Sequence, residues 1–479
     1  MSQSNLLIIM SDEHQARAMG CAGHPFVQTP NLDALAARGV RFADAYTPSP
    51  ICVPARAAFA SGRYVHENRL WDNAMPYTGE PKGWGHTLQG AHIPVESIGK
   101  LHYRSDEDPA GFDTEHIPMQ VVNGVGMAWA SIRKEDERVG PPGGGRMLGE
   151  YIGPGQSKYI EYDAAVTERT RQWFADRAAS GDDRPWCLYV GLVAPHFPLI
   201  VPQEFYDLYP LNSLPPVKLH PEDGHPRHPW VEKQNAMMDS EARFEDNEER
   251  LKAMASYYGL CSWLDHNVGQ IMASLDEVGF GDNTTVIYTS DHGDNVGARG
   301  LWGKSNLYQE SVAVPMIMAG PDVAPGTCDT PVSLLDISAT VPDHFGLSFN
   351  GDGASLHAIA TSDDDPGRPI LSEYHAAGAV SGAFMLRKER WKLNYYVGFP
   401  PELFDMRGDP EELTDLAGDP AYAAKLAEME AALRDILDPE AVDAQAFADQ
   451  AALIERLGGR DAALKLGAPG ATPPPEAKR

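Results

Sequence analysis

The chain has 479 residues, 43% hydrophobic and 22% charged, enough for one large mixed domain and a smaller one. Its 39 basic residues stand against 68 acidic ones, and the net charge of -29 repels nucleic acid and anionic lipid headgroups, which excludes both as partners. An anionic substrate has to be drawn in by a local basic pocket against that field.

No run approaches the roughly 20 apolar residues of a membrane span. The opening MSQSNLLIIMSDEH lacks the basic region and apolar length of a signal peptide, so a cytoplasmic protein is expected. Cys21, Cys52, Cys187, Cys261 and Cys328 are scattered and odd in number, which points away from a disulfide framework or a structural zinc site.

In chain order, Leu6–Met10 is a short apolar run between polar residues and predicts a strand buried on both faces. Residues 29–39 predict a helix with Thr29 as cap, Pro30 at its first position and Gly39 at its end. Val40–Tyr46 reads as a strand, and Ala55–Ala60 as a helix stopped by Gly62. Two long amphipathic helices are expected over 159–179 and 244–277, with buried strands at Trp186–Val193 and Thr285–Thr289. The alternation predicts an α/β doubly wound sheet over residues 1–370.

From 371 to 419 the texture changes. Ala383–Tyr396 reads as two short strands around a charged turn, with Glu402–Met406 after them, which predicts a small antiparallel-sheet domain. Residues 420–466 return to acidic, alanine-rich helix, in which Leu426, Met429, Leu433, Ile436 and Leu437 form a narrow apolar stripe. That stripe predicts an arm covering the parent domain or a neighbouring subunit, and with it a homo-oligomer, dimer or tetramer. Residues 467–479, rich in Pro, Ala and Gly, are expected to be disordered.

Open α/β sheets present ligand-binding residues just past the carboxyl ends of their strands. Ser11-Asp12-Glu13-His14 follows the first buried run, and Ser290-Asp291-His292-Gly293-Asp294 follows the third. Carboxylates with an imidazole suit a divalent cation such as Ca²⁺, Mn²⁺ or Mg²⁺; the plainer alternative has Asp12 and Asp291 capping turns. In 48-PSPICVPARAAFASGRY-64, Cys52 sits at a strand-to-helix corner, where free N–H groups and the helix dipole favour an anion, and Arg56 faces back from one turn on. A buried structural cysteine and a low-pKa thiolate nucleophile are two other readings of that thiol.

The spacing in 52-CVPAR-56 and 61-SGRY-64 resembles the formylglycine-dependent sulfatase family of the alkaline-phosphatase-like superfamily. So do Pro30-Asn31-Leu32-Asp33, 99-GKLHY-103, 195-PHFP-198, 291-DHG-293 and Lys304. The segment 402-ELFDMRGDPEELTDL-416 resembles the family's C-terminal part, and 371-LSEYHAAGA-379 its choline-sulfatase-like branch. The resemblance implies that a formylglycine-generating enzyme reads Pro54 and Arg56 and oxidises Cys52 to an aldehyde. The hydrated aldehyde, on a divalent cation, then attacks the sulfur of a small aryl, alkyl or choline-type sulfate ester and releases alcohol and sulfate. Ca²⁺ is the cation expected, with Mn²⁺ as the alternative.

The resemblance also implies roles. Asp12, Asp291, His292 and modified Cys52 hold the metal; Glu13, where the family more often has Asp or an amide, is counted with them. Arg56 stabilises the diol. Lys100, His196 and Lys304 surround the sulfate oxygens, and Asn73 contacts an oxyanion. His102 is the base at the second hydroxyl, and His196 or Lys304 protonates the leaving alcohol. Trp84, Trp129, Tyr103 and Trp302 are candidates to wall the pocket. Taken singly, the lysines read as surface groups and the histidines as hydrogen-bonded core residues. Two competing functions remain: a phosphonate monoester or phosphodiester hydrolase of the same superfamily, against which Lys100 and His102 speak, and a non-catalytic metal-binding protein in which Cys52 stays a thiol.

Overall fold

The computed structural model describes residues 4–140, 147–467 and 471–475. Its centre is an eight-stranded sheet in the order Gly326–Cys328, Val40–Phe42, Met316–Ala319, Thr284–Ser290, Asn5–Asp12, Cys187–Pro195, Val95–Lys100, Thr114–Met119. Met316–Ala319 runs against both neighbours; the other pairs are parallel. The sheet is therefore mixed, as large doubly wound sheets often are.

The central strand shows why its sequence reads as a continuous apolar run. Leu6, Ile8 and Met10 point into one core, shared with Leu334, Ile337 and Val341 of the Leu334–His344 helix. Leu7 and Ile9 point into the other, shared with Val166 and Phe174 of Lys158–Ser180 and Leu264 and Ile271 of Asn247–Glu277. Strand side chains alternate between faces, so a strand covered on both sides has no polar face to show.

Two local expectations differ from the structure. Thr29 does not cap the Pro30–Ala37 helix. Its hydroxyl donates to Asp33, and the free N–H groups of Asn31 and Leu32 go instead to the Asp265 carboxylate, at 3.2 and 2.8 Å. The second long helix begins at Asn247 rather than 244, because Asp246 takes extended backbone and accepts from the Glu249 N–H.

The small sheet has four antiparallel strands, Ile370–Tyr374, Ala383–Lys388, Trp391–Tyr396 and Glu402–Asp405. Against it lie Met429, Leu433 and Leu437, which contact a core of Leu371, Phe384, Leu386, Leu393 and Leu403. The stripe thus covers its own chain, while Ile436 is left exposed; each fully buried side chain of that size contributes about 2 kcal/mol. The Pro439–Arg456 helix sets Ala446 against Trp71 and Leu335 of the large part. Of residues 467–479, 468–470 and 476–479 lie outside the described residues; Ala471 and Thr472 pack at the ends of the central strands. Among the described residues no helix is long and apolar enough to cross a membrane.

Glu373, buried in the first strand of the small sheet, carries the junction. Its two oxygens meet His66 Nδ1 at 2.8 Å and His375 Nε2 at 3.1 Å. Burial alone would raise its pKa, but His66 and His375 pull it down to about 2. A depressed carboxyl contributes stability that is complete above its unfolded value and is lost as pH falls through the folded one. Denaturant midpoints followed from pH 5 to 2 are expected to fall more steeply in the native chain than in Glu373→Gln. The difference amounts to about 3 kcal/mol across that window; parallel curves would remove Glu373 from the account of acid unfolding.

Candidate active site

Parallel pairing in register, Met10 with Thr289 and Ser11 with Ser290, brings Asp12 and Asp291 side by side at the strand ends. The N-terminus of the Cys52–Ser61 helix is aimed at the same point, and Gly62, at φ 68, ends that helix in the left-handed conformation it needs. The Val95–Lys100 strand bends at Gly99, φ 97, and approaches the next strand so closely that a Cβ on Gly191 would lie 2.1 Å from the Lys100 carbonyl oxygen. That approach lets the Lys100 carbonyl accept from Arg56 at 2.9 Å while its Nζ reaches Asp12 Oδ2 at 2.7 Å.

Arg56 organises the two carboxylates. Its Nε meets Asp291 Oδ2 at 2.7 Å and its Nη2 meets Asp12 Oδ2 at 3.0 Å, with Nη1 donating to Tyr189 Oη at 2.9 Å. With both Oδ2 atoms held there, the two Oδ1 atoms turn toward His292. His292 Nε2 lies 3.8 Å from Asp12 Oδ1, 3.6 Å from Asp291 Oδ1 and 3.2 Å from Cys52 Sγ. The other nitrogen, Nδ1, is 3.0 Å from the Gly293 carbonyl oxygen, which only accepts; the proton therefore sits on Nδ1, and Nε2 carries a lone pair into the cluster. Two carboxylate oxygens, an imidazole lone pair and a sulfur, all within 4.8 Å of one another and all buried, form a donor set that fits a divalent cation.

The electrostatics follow from burial and close charges. Burial would raise Asp12, but the permanent positive charges of Lys100, Arg56 and Lys304 hold it well below the usual carboxylate range. Burial and the Asp12 charge push the Cys52 thiol up to about 11. An unmodified Cys52 is thus a protonated thiol at neutral pH, which counts against the thiolate nucleophile. Burial, with Lys100 and Lys304 respectively, drives His102 and His196 well below the ordinary histidine value, so both rings are neutral.

Glu13 is not one of these four donors; with Asp12 and His196 it forms a second buried group whose ligand atoms lie within 4.8 Å of one another. Its backbone leaves the strand at φ 72, and its Oε2 lies 3.0 Å from Lys304 Nζ and 3.5 Å from His196 Nε2. Its Oε1 is buried without a hydrogen-bond partner among the described residues, and burial raises its pKa. The left-handed turn after Asp12 carries this longer side chain past the cluster and toward Gly303.

Cys52, Asn73, Lys100, His102, His196 and Lys304 line one cavity of about 50 Å³, with Asp12, Asp291 and His292 beneath Cys52. Asn73 accepts the Val53 N–H at 3.4 Å, which ties it to the start of the Cys52 helix. Of the four aromatic candidates, Trp302 reaches the cavity; Trp84 and Tyr103 pack in the main core, and Trp129 is buried beside Ala130 and Ala377. Sequence reasoning missed Met127, Met147, Met238, Gln234 and Asn235, which lie on loops and a short helix with no motif to flag them, and Thr472.

Comparison with known proteins agrees with this geometry. The sulfatase family model matches residues 4–347, and that of the N-sulphoglucosamine sulphohydrolase C-terminal region matches 297–438. A choline-sulfatase of Rhizobium meliloti is 33% identical over 421 residues, covering 85% of this chain and 80% of its own. Arylsulfatase K of Danio rerio is 29% identical over 443 residues, covering 85% and 78%. The crystal structure of a phosphonate monoester hydrolase of Agrobacterium radiobacter shares the fold, with a TM-score of 0.74 at 23% identity over 92% of this chain and 96% of that one. The chain is thus a member of the sulfatase family, enzymes that hydrolyse sulfuric esters.

Proposed function

We propose that the chain hydrolyses small sulfate monoesters, with Cys52 as a formylglycine precursor and Asp12, Asp291, His292 and residue 52 as the cradle of a divalent cation. The observation that carries this is the convergence of both Oδ1 atoms, His292 Nε2 and Cys52 Sγ on one buried point. Bound there, the cation supplies Lewis acidity, and the oxidised residue 52 supplies a hydroxyl nucleophile. A formylglycine-generating enzyme is the partner this requires during maturation.

The chain's own groups do the rest. Arg56 fixes the carboxylates. Lys100 and Lys304 bring two positive charges to the cavity, where they bind and orient the sulfate oxygens. His196 lies 2.5 Å by Nδ1 from the Phe197 carbonyl oxygen, so its neutral ring accepts, rather than donates, at Nε2. The proton for the leaving alcohol is therefore assigned to Lys304, which lines the same cavity and whose Nζ lies 3.0 Å from Glu13 Oε2 and 4.0 Å from Asp12 Oδ1. In this reading Glu13 holds Lys304 and is not a metal ligand.

Among the described residues no carboxylate lines the cavity, whose remaining wall is Ile, Met, Phe, Leu, Trp and Ala with Ser305, Thr472 and a few amides. That lining fits an uncharged aryl or short alkyl group better than a polysulfated glycan. The test is sulfate release from an aryl sulfate, choline sulfate and an aryl phosphonate monoester by protein produced with a formylglycine-generating enzyme. Sulfate esters are expected to turn over fastest, EDTA to abolish activity, and Ca²⁺ or Mn²⁺ to restore it. Lys100→Ala and Lys304→Ala should each lower kcat/KM by about 10²- to 10³-fold. Faster turnover of the phosphonate, or activity that survives chelation, would contradict the reading.

A further inference from the structure

His102 is held by a part of the chain 370 residues away: its Nε2 lies 2.7 Å from Thr472 Oγ1. The Thr472 carbonyl oxygen in turn accepts from Tyr159 Oη at 2.6 Å. His102, Thr472 and Tyr159 are only 5, 8 and 8% exposed, so this is a buried contact. Ala471 and Thr472 share the cavity with Cys52, and Pro473 and Pro475 continue along a groove formed by residues 104–108 and 118–124. On the other side, the backbone N–H of His102 donates to the Met119 carbonyl at 2.8 Å, and its Nδ1 is buried without a hydrogen-bond partner among the described residues.

A neutral imidazole has one N–H and one lone pair, and the partner of one nitrogen decides the state of the other. A buried N–H left without an acceptor is a worse defect than an unpaired lone pair. The arrangement with fewer penalties therefore puts the proton on Nε2, donated to the Thr472 hydroxyl, and leaves the lone pair on Nδ1.

We propose that Thr472 is a positioning residue for His102: its hydroxyl accepts the Nε2 proton, fixes the tautomer in which Nδ1 is the base, and, with Ala471, closes one wall of the cavity. This rests on the reading of the chain as a sulfatase with His102 as base. The charged groups that face the ring, Lys100, Asp12, Arg56 and Lys304, are untouched by changes at 472.

The test compares matured native chain, Thr472→Val and Thr472→Ser on an aryl sulfate. Valine keeps the bulk and removes the acceptor. It is expected to lower kcat about tenfold with KM within about twofold, and to move the acidic limb of the kcat profile to lower pH, because an acceptor on Nε2 favours the protonated ring. Serine should restore both. Unchanged kcat and pH profile in Thr472→Val, with normal sulfate turnover, would overturn the proposal and leave the sulfatase reading standing.

A second readout needs no turnover. Carbethoxylation of His102 by diethyl pyrocarbonate, mapped by peptide mass, should be about tenfold faster in full-length Thr472→Gly than in the native chain. Equal rates would overturn the contact whatever the activity. A difference in rate from protein inactive on every sulfate would support the contact and locate the failure in the sulfatase reading instead.

Discussion

Cys52→Ala, made under the same maturation conditions, is expected to lose turnover by about five orders of magnitude or more, the scale seen when a covalent nucleophile is removed. The fold should survive. Position 52 is the first residue of its helix, and alanine suits that place, losing the 3.2 Å contact from Sγ to His292 Nε2. What is lost is chemistry: no aldehyde forms at an alanine, and the cradle falls from four donors to three. Because Asp12, Asp291 and His292 remain, the variant should still bind a divalent cation, more weakly, as read by calorimetry. An aryl-sulfate assay that found more than a tenth of native activity in Cys52→Ala would move the nucleophile elsewhere.

Arg56→Met should have the largest effect on stability. The guanidinium stands between two buried carboxylates, at 2.7 and 3.0 Å, and also satisfies the Lys100 carbonyl and the Tyr189 hydroxyl. Methionine preserves most of the apolar stem but leaves Asp12 and Asp291 facing each other with one fewer compensating charge. Breaking a buried pair from one side costs about 3–5 kcal/mol. Arg56→Lys should recover only part of this, since a point charge cannot span both carboxylates as the planar fork does. Chemical denaturation in EDTA should show the full loss, and a divalent cation should offset part of it by engaging the same two carboxylates. A loss below about 1 kcal/mol in EDTA would mean that Asp12 and Asp291 do not depend on Arg56 for their charge.

The parts of this architecture that were legible in the sequence are those with local causes. The three central strands announce themselves as apolar runs because both their faces are covered. Asp12, Asp291 and His292 could be read from their place just past two such runs, and Cys52 and Arg56 from their spacing around one helical turn. What escaped has distant causes. Thr29 looks like a cap, yet Asp265 of another helix does the capping. Leu371-Ser-Glu-Tyr374 does not look like a buried strand, because nothing nearby reveals that His66 and His375 satisfy Glu373. Thr472 lies in a Pro/Ala/Gly-rich stretch whose composition points to disorder, while its partners, His102 and Tyr159, lie hundreds of residues earlier.

The most direct test of the central claim is the mass of the tryptic peptide Phe42–Arg56, from protein produced together with a formylglycine-generating enzyme. The account predicts a peptide carrying an aldehyde in place of the Cys52 thiol, reactive toward a hydrazide probe. An intact thiol in protein that nevertheless hydrolyses sulfate esters would contradict it, since the buried donor cluster would then work with an unmodified cysteine.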